Sequence, residues 1–122
     1  MVFCMLFYLW ENDNVFDVEN PPPEHFIGKI PFQEMYHLRF FWDDVSKITN
    51  IKIPDWDSDM IIRQHIIPSI YDLCLTMHKN ANYDYYVTHK SKKVYMLLYD
   101  NILEILKVAY NEKKGILLYE EE

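Results

Sequence analysis

Only two glycines, Gly28 and Gly115, occur among 122 residues. Glycine enters the positive-φ region without a steric penalty, so this shortage argues against folds built on many tight glycine turns. It also argues against the Gly-rich loops that cradle phosphates through closely approaching backbone N–H groups. Turning falls instead to Asn, Asp and Pro, and Glu11-Asn12-Asp13-Asn14, Pro21-Pro22-Pro23 and Asn80-Ala81-Asn82 are the candidates. The length is that of one domain, 1–122, which buries roughly two-thirds of its unfolded surface without a disulfide or metal staple. Half the residues are apolar, and ten tyrosines with seven phenylalanines exceed what a small core holds. Some rings are therefore expected at the surface.

The chain divides by pattern. Val2–Trp10 is a continuous apolar run rich in strand formers and reads as a buried strand; Val15–Val18 reads as a short return strand, ended by the stiff proline triplet. Between Phe26 and Ile53 two periods compete. Phe32, Met35, Tyr36, Arg39 and Phe40 fit a helical stripe, whereas Tyr36, Leu38, Phe40 and Trp42 alternate with His37, Arg39 and Phe41. The alternation favours a strand near 36–42. Ile51 and Ile53 alternate with lysine, a small strand stopped by Pro54. A helix is predicted to begin at Asp57 or Ser58, with Asp57 and Asp59 where a helix start favours negative charge. Its stripe is Ile62, Ile66, Ile67, Ile70, Tyr71, Leu73, Cys74 and Met77, and Pro68 inside the run predicts a kink or two successive helices.

Further on, Tyr85–His89 and Lys93–Leu98 flank Lys90-Ser91-Lys92 and read as a β-hairpin; the alternative extends the last helix back to Lys92. Asn101 with Glu104 resembles a capping box, Ile102, Ile105, Leu106 and Ala109 share a face, and Gly115 reads as the helix stop. Ile116–Tyr119 adds a closing strand. The expected architecture is α+β: a single compact domain with a mainly antiparallel sheet packed against two to three helices.

Charge is as unevenly distributed as hydropathy. Residues 1–60 hold eleven acids and four bases, which is the entire net charge of −7; residues 61–122 hold eight of each. The same half contains all three tryptophans, each beside acids: Trp10-Glu11 with Asp13, Trp42-Asp43-Asp44, and Asp55-Trp56-Asp57 with Asp59. Acids steer a basic partner and aromatic anchors supply contact energy on docking, so these ten residues are the candidate partner-binding set.

Catalytic and metal-binding patterns fail residue by residue. Asp55, Asp57 and Asp59 space like the opening of an EF-hand loop, but its sixth position would be Met60 and its twelfth Ile66, where Gly and Glu are required. His25, His37, His65, His78 and His89 form no i,i+4 pair. Neither Cys4 nor Cys74 has metal-ligand spacing or a nucleophile signature, and both read as reduced thiols. Lys90, Lys92 and Lys93 with Lys113 and Lys114 form basic spots, yet two arginines and a net −7 give no nucleic-acid footprint. The run Val2–Trp10 is about half a bilayer span and lacks signal-peptide flanks, which favours a cytoplasmic protein. Abundant Ile, Asn, Lys and Tyr with scarce Ala, Gly and Arg suit the AT-rich coding sequence of bacterial mobile elements and phages.

These features point to a non-enzymatic binding protein without cofactor or metal. The expected function is an immunity protein, or antitoxin, that covers the active site or substrate-binding surface of a basic toxin nuclease. The alternatives are a phage or mobile-element inhibitor of a host defence complex and a small acidic secretion chaperone. Full imitation of a duplex is disfavoured, because DNA carries one charge per roughly 1.7 Å of axis and twelve bases dilute the nineteen acids here.

Overall fold

The computed structural model describes residues 4–11, 21–50, 60–80 and 89–121. Four strands, β1 (Cys4–Trp10), β2 (Phe26–Pro31), β3 (Met60–Ile62) and β4 (Gly115–Glu121), form one sheet in the order β2-β1-β4-β3, with antiparallel neighbours throughout. Alternation along the strands sends Met5, Phe7, Ile62, Ile116 and Leu118 to one face, and Trp10, Ile61 and Leu117 to the other. Both faces are apolar, which is why Val2–Trp10 reads as an unbroken run. One extra residue, Ile27, bulges β2 where the pairing passes from Phe7–Gly28 to Tyr8–Phe26.

The helices cover the first face. They are α1 (Phe32–Met35), α2 (Arg39–Thr49), α3 (Ile67–Asn80) and α4 (His89–Glu112), with 3₁₀ turns at Pro23–His25, Tyr36–Leu38 and Gln64–Ile66. The main core gathers Phe41, Trp42 and Val45 from α2, Ile67, Ile70 and Cys74 from α3, and Leu98, Ile102, Ile105 and Ala109 from α4. Fully burying one such side chain stabilises by about 1.5–3 kcal/mol. Both glycines mark close approaches: a Cβ at Gly28 would lie 2.6 Å from Ile105 Cγ1, and one at Gly115 would lie 2.5 Å from Ile62 O. Beside Gly28, Asn101 Nδ2 donates to Lys29 O at 3.2 Å and ties α4 to β2.

The α+β class, the antiparallel sheet, β1 and β4 agree with the sequence reading. Four local expectations do not. Residues 36–42 are a 3₁₀ turn running into α2, because Met35, Leu38, Phe41, Trp42 and Val45 bury at helical spacing while Phe40, which a strand would place beside Leu38 and Trp42, is 66% exposed. Residues 60–62 are β3, and the helix begins only at Ile67, so Pro68 occupies its first turn, where a missing N–H is harmless, and makes no kink. Residues 89–98 belong to α4, whose buried Leu98, Ile102 and Ile105 continue one stripe; there is no hairpin turn at 90–92 and Asn101 caps nothing. Gly115 starts β4, and the helix stop is Lys113, at φ 57°. Its N–H bonds Tyr110 O at 3.2 Å and that of Lys114 bonds Ala109 O at 3.1 Å, the Schellman pattern. The expected strands at 15–18 and 51–53, the acids Asp57 and Asp59 and the segment 85–88 lie outside the described residues.

Candidate functional site

An α2 that buries Phe41, Trp42 and Val45 must turn the residues between them outward. Successive positions are 100° apart, so Phe40, Asp43, Asp44, Lys47 and Ile48 share the outward face. Phe40 is 66% and Ile48 45% exposed, and Asp43 lies open to solvent between them. Lys47 Nζ stands 3.9 Å from Asp44 Oδ1, but the two side chains are 81% and 45% exposed, so this pair does little to hold or mask the carboxylate. The Arg39 guanidinium lies 5.0 Å from the centre of the Phe40 ring. Asn50, at φ 58°, ends the helix in the left-handed conformation its side chain tolerates. The result is a carboxylate pair set between two exposed apolar side chains on one rigid helix.

The tryptophans are placed differently from the expectation. Trp42 is 3% exposed and packs on Phe41 with centroids 5.0 Å apart, within the core under the helices. Trp10 is 9% exposed and belongs to the cluster on the opposite face of the sheet, with Ile61 and Leu117. Neither ring lies open for contact, and the structure does not bring the two together. Each indole Nε1 is buried and, among the described residues, has no hydrogen-bond partner. Glu11 is exposed beyond the end of β1, where Lys114 Nζ lies 2.5 Å from its Oε1. The hydrogen bond from Lys114, then its charge, hold the Glu11 carboxyl below its ordinary range. Asp13, Asp55, Trp56, Asp57 and Asp59 lie outside the described residues.

Sequence reasoning missed Phe40 and Ile48. The signal was Phe40-Phe41-Trp42: an amphipathic helix cannot bury three consecutive large rings, so one must face the acids. Two histidines serve as struts. His37 Nδ1 is 3.0 Å from the Tyr95 hydroxyl, and His78 Nε2 is 2.9 Å from Asp100 Oδ1 with its ring stacked on Tyr99. Among the described residues, no group of three His, Cys, Asp or Glu side chains could hold a metal ion, and no helix is long and apolar enough to cross a membrane.

No protein-family model and no curated protein matches the sequence. Among solved structures, the fold is similar to that of the Neisseria DNA mimic protein DMP12. The two chains are 17% identical, superpose with a TM-score of 0.51, and match over 96% of this chain and 98% of that one. At that identity the likeness is one of fold.

Proposed function

We propose that this chain is an acidic, non-catalytic inhibitor that covers the nucleic-acid-binding surface of a basic protein, and that α2 forms part of its contact face. The observation that carries the reading is the α2 surface itself, where Asp43 and Asp44 lie between the exposed Phe40 and Ile48. Carboxylates in such a place stand in for phosphates and set the encounter rate, while a large ring beside them supplies the slow off-rate. The net −7, concentrated in residues 1–60, supports a basic partner.

A toxin nuclease is the partner we favour, because a cell that makes one must shield its phosphate-binding site. The second reading is a DNA-binding protein of another kind, titrated away from DNA; the fold shared with a DNA mimic protein favours it. The dilution of acids by bases is no obstacle if only one face carries the imitation.

The test begins with capture of partners from the native host at low and moderate salt. The captured protein, once purified, is assayed for DNA binding and cleavage with and without this chain. Loss of cleavage identifies a nuclease, and loss of binding alone identifies the second class. Phe40→Ala is expected to weaken the complex by about 2 kcal/mol, roughly 30-fold. A partner that continues to bind DNA in the complex, or a Phe40→Ala/Asp43→Asn/Asp44→Asn variant that inhibits as well as the parent, removes this reading.

A further inference from the structure

α2 carries two acids, Asp43 and Asp44, and two bases, Arg39 and Lys47. It therefore has no net charge, although it lies in the half of the chain that holds the whole net −7. Its outward face also bears Ile48 and Phe40, and Phe40 is the most exposed large apolar side chain among the described residues. The Lys47–Asp44 pair within the helix is long, at 3.9 Å, and open to solvent. Lys47 loses little by turning to another carboxylate.

This face is complementary to its own reverse. Two copies of α2 laid antiparallel about a twofold axis at the level of Val45 bring position 43 of each level with position 47 of the other. Asp43 then faces Lys47 of the second copy, and Lys47 faces Asp43 of the second copy. At about 1.5 Å of rise per residue, the same register sets Phe40 within about 3 Å, along the axis, of Ile48 of the second copy. Symmetry makes that contact twice. Arg39 supplies an independent observation. It stands in the first turn of α2, where the helix dipole disfavours a cation. In the antiparallel pair it lies level with the C-terminal end of the second copy, where the dipole favours one.

We propose that the free chain forms a weak symmetric dimer through the outward face of α2, held by reciprocal Asp43–Lys47 pairs and reciprocal Phe40–Ile48 contacts. One face of a helix about 16 Å long falls well short of the roughly 800 Å² per partner of a standard interface, so the dimer is transient and forms only at high concentration. The charges elsewhere on the two acidic chains do not prevent it. Repulsion beyond about 8 Å is largely screened at physiological ionic strength, whereas pairs in contact are screened much less. A regulatory consequence rests on the inhibitor reading above: a basic partner and a second copy compete for one face, so the dimer withholds Phe40 until the partner displaces the second copy.

The experiment is a dilution series of the ¹⁵N-labelled full chain from about 1 mM to about 0.01 mM, a span that brackets contacts of about −5 kcal/mol, followed by amide shifts and by sedimentation. The average mass should rise with concentration, and the amides of Phe40, Asp43, Lys47 and Ile48 should shift with it. Asp43→Lys alone and Lys47→Asp alone set like charges opposite one another, and each should weaken self-association at least tenfold. An equimolar mixture of these two variants restores every pair and should associate at least tenfold more tightly than either alone. The double variant Asp43→Lys/Lys47→Asp should regain the parent's behaviour. Phe40→Ala should lose at least tenfold, and Leu97→Ala, at an exposed site on α4, should lose nothing. A chain that stays monomeric at about 1 mM, concentration-dependent shifts centred on Leu97 and Val108 instead of α2, or a mixture no tighter than its components overturns the proposal. No partner protein enters these measurements, so their failure overturns the dimer alone and leaves the inhibitor reading to its own test.

Discussion

A methyl group added at Gly28 meets the side chain of Ile105, whereas one added at Gly115 meets the backbone carbonyl of Ile62. Side chains yield and carbonyls in a sheet do not. Gly28→Ala is therefore expected to cost about 1–3 kcal/mol, the ordinary range for overpacking, and Gly115→Ala about 3 kcal/mol or more. Urea midpoints at constant m measure both, and in an Ile105→Ala background the Gly28→Ala step should become much cheaper, a coupling that Gly115→Ala lacks. Cys74 supplies a pH test. Its burial pushes the thiol up to about 12, whereas an unfolded thiol titrates near about 8.5. Below the unfolded value both states hold the proton and pH has no effect. As pH rises toward the folded value only the unfolded chain releases it, so stability should fall between about pH 9 and 12. Cys74→Ala, less stable at neutral pH because of the cavity it leaves, should lack that component of the alkaline decline. At pH 8 a thiol reagent should leave Cys74 unmodified until denaturant is added.

At the scale of elements, α2 separates what pattern reveals from what it hides. Phe40 and Phe41 are neighbours in sequence with opposite fates, 66% and 0% exposed. Phe41→Ala should cost about 3–5 kcal/mol and Phe40→Ala less than about 0.5 kcal/mol of folding stability, a contrast readable by thermal or urea unfolding. β1 and β4 were legible because each is a short run of strand formers with nothing to compete. Residues 36–42 were not, because seven residues rich in aromatic rings satisfy a period of two nearly as well as one of 3.6, and only the burial of Met35 and Val45 on either side settles which. Lys90-Ser91-Lys92 looked like a turn because it is polar, yet three polar residues also fit within the first turn of a helix whose apolar stripe begins later. Neither Asn101 nor Gly115 fills the local role its residue type suggested. Each is explained instead by a partner distant in sequence, Lys29 for the first and Ile62 for the second.

At the scale of the whole molecule, the sequence located the excess charge but not its face, since sharing a face is a property of the fold alone. Trp10 and Trp42 read as equivalent anchors and lie on opposite sides of the sheet. The interaction proposed for α2 rests on long-range attraction, so its association rate should fall steeply between low and physiological salt while dissociation changes little. Asp43→Asn/Asp44→Asn should flatten that dependence in stopped-flow measurements, and an unchanged slope would count against α2. The sheet order carries a consequence of its own. Central β1 pairs along its whole length with β4, Cys4 opposite Glu121 and Trp10 opposite Gly115. A ribosome delivers β1 first and β4 more than a hundred residues later, so the middle of the sheet cannot close until nearly all of this sequence has emerged. Until then an apolar strand waits without one of its two neighbours, which makes this a high-contact-order, slow-closing fold and gives chaperones their window.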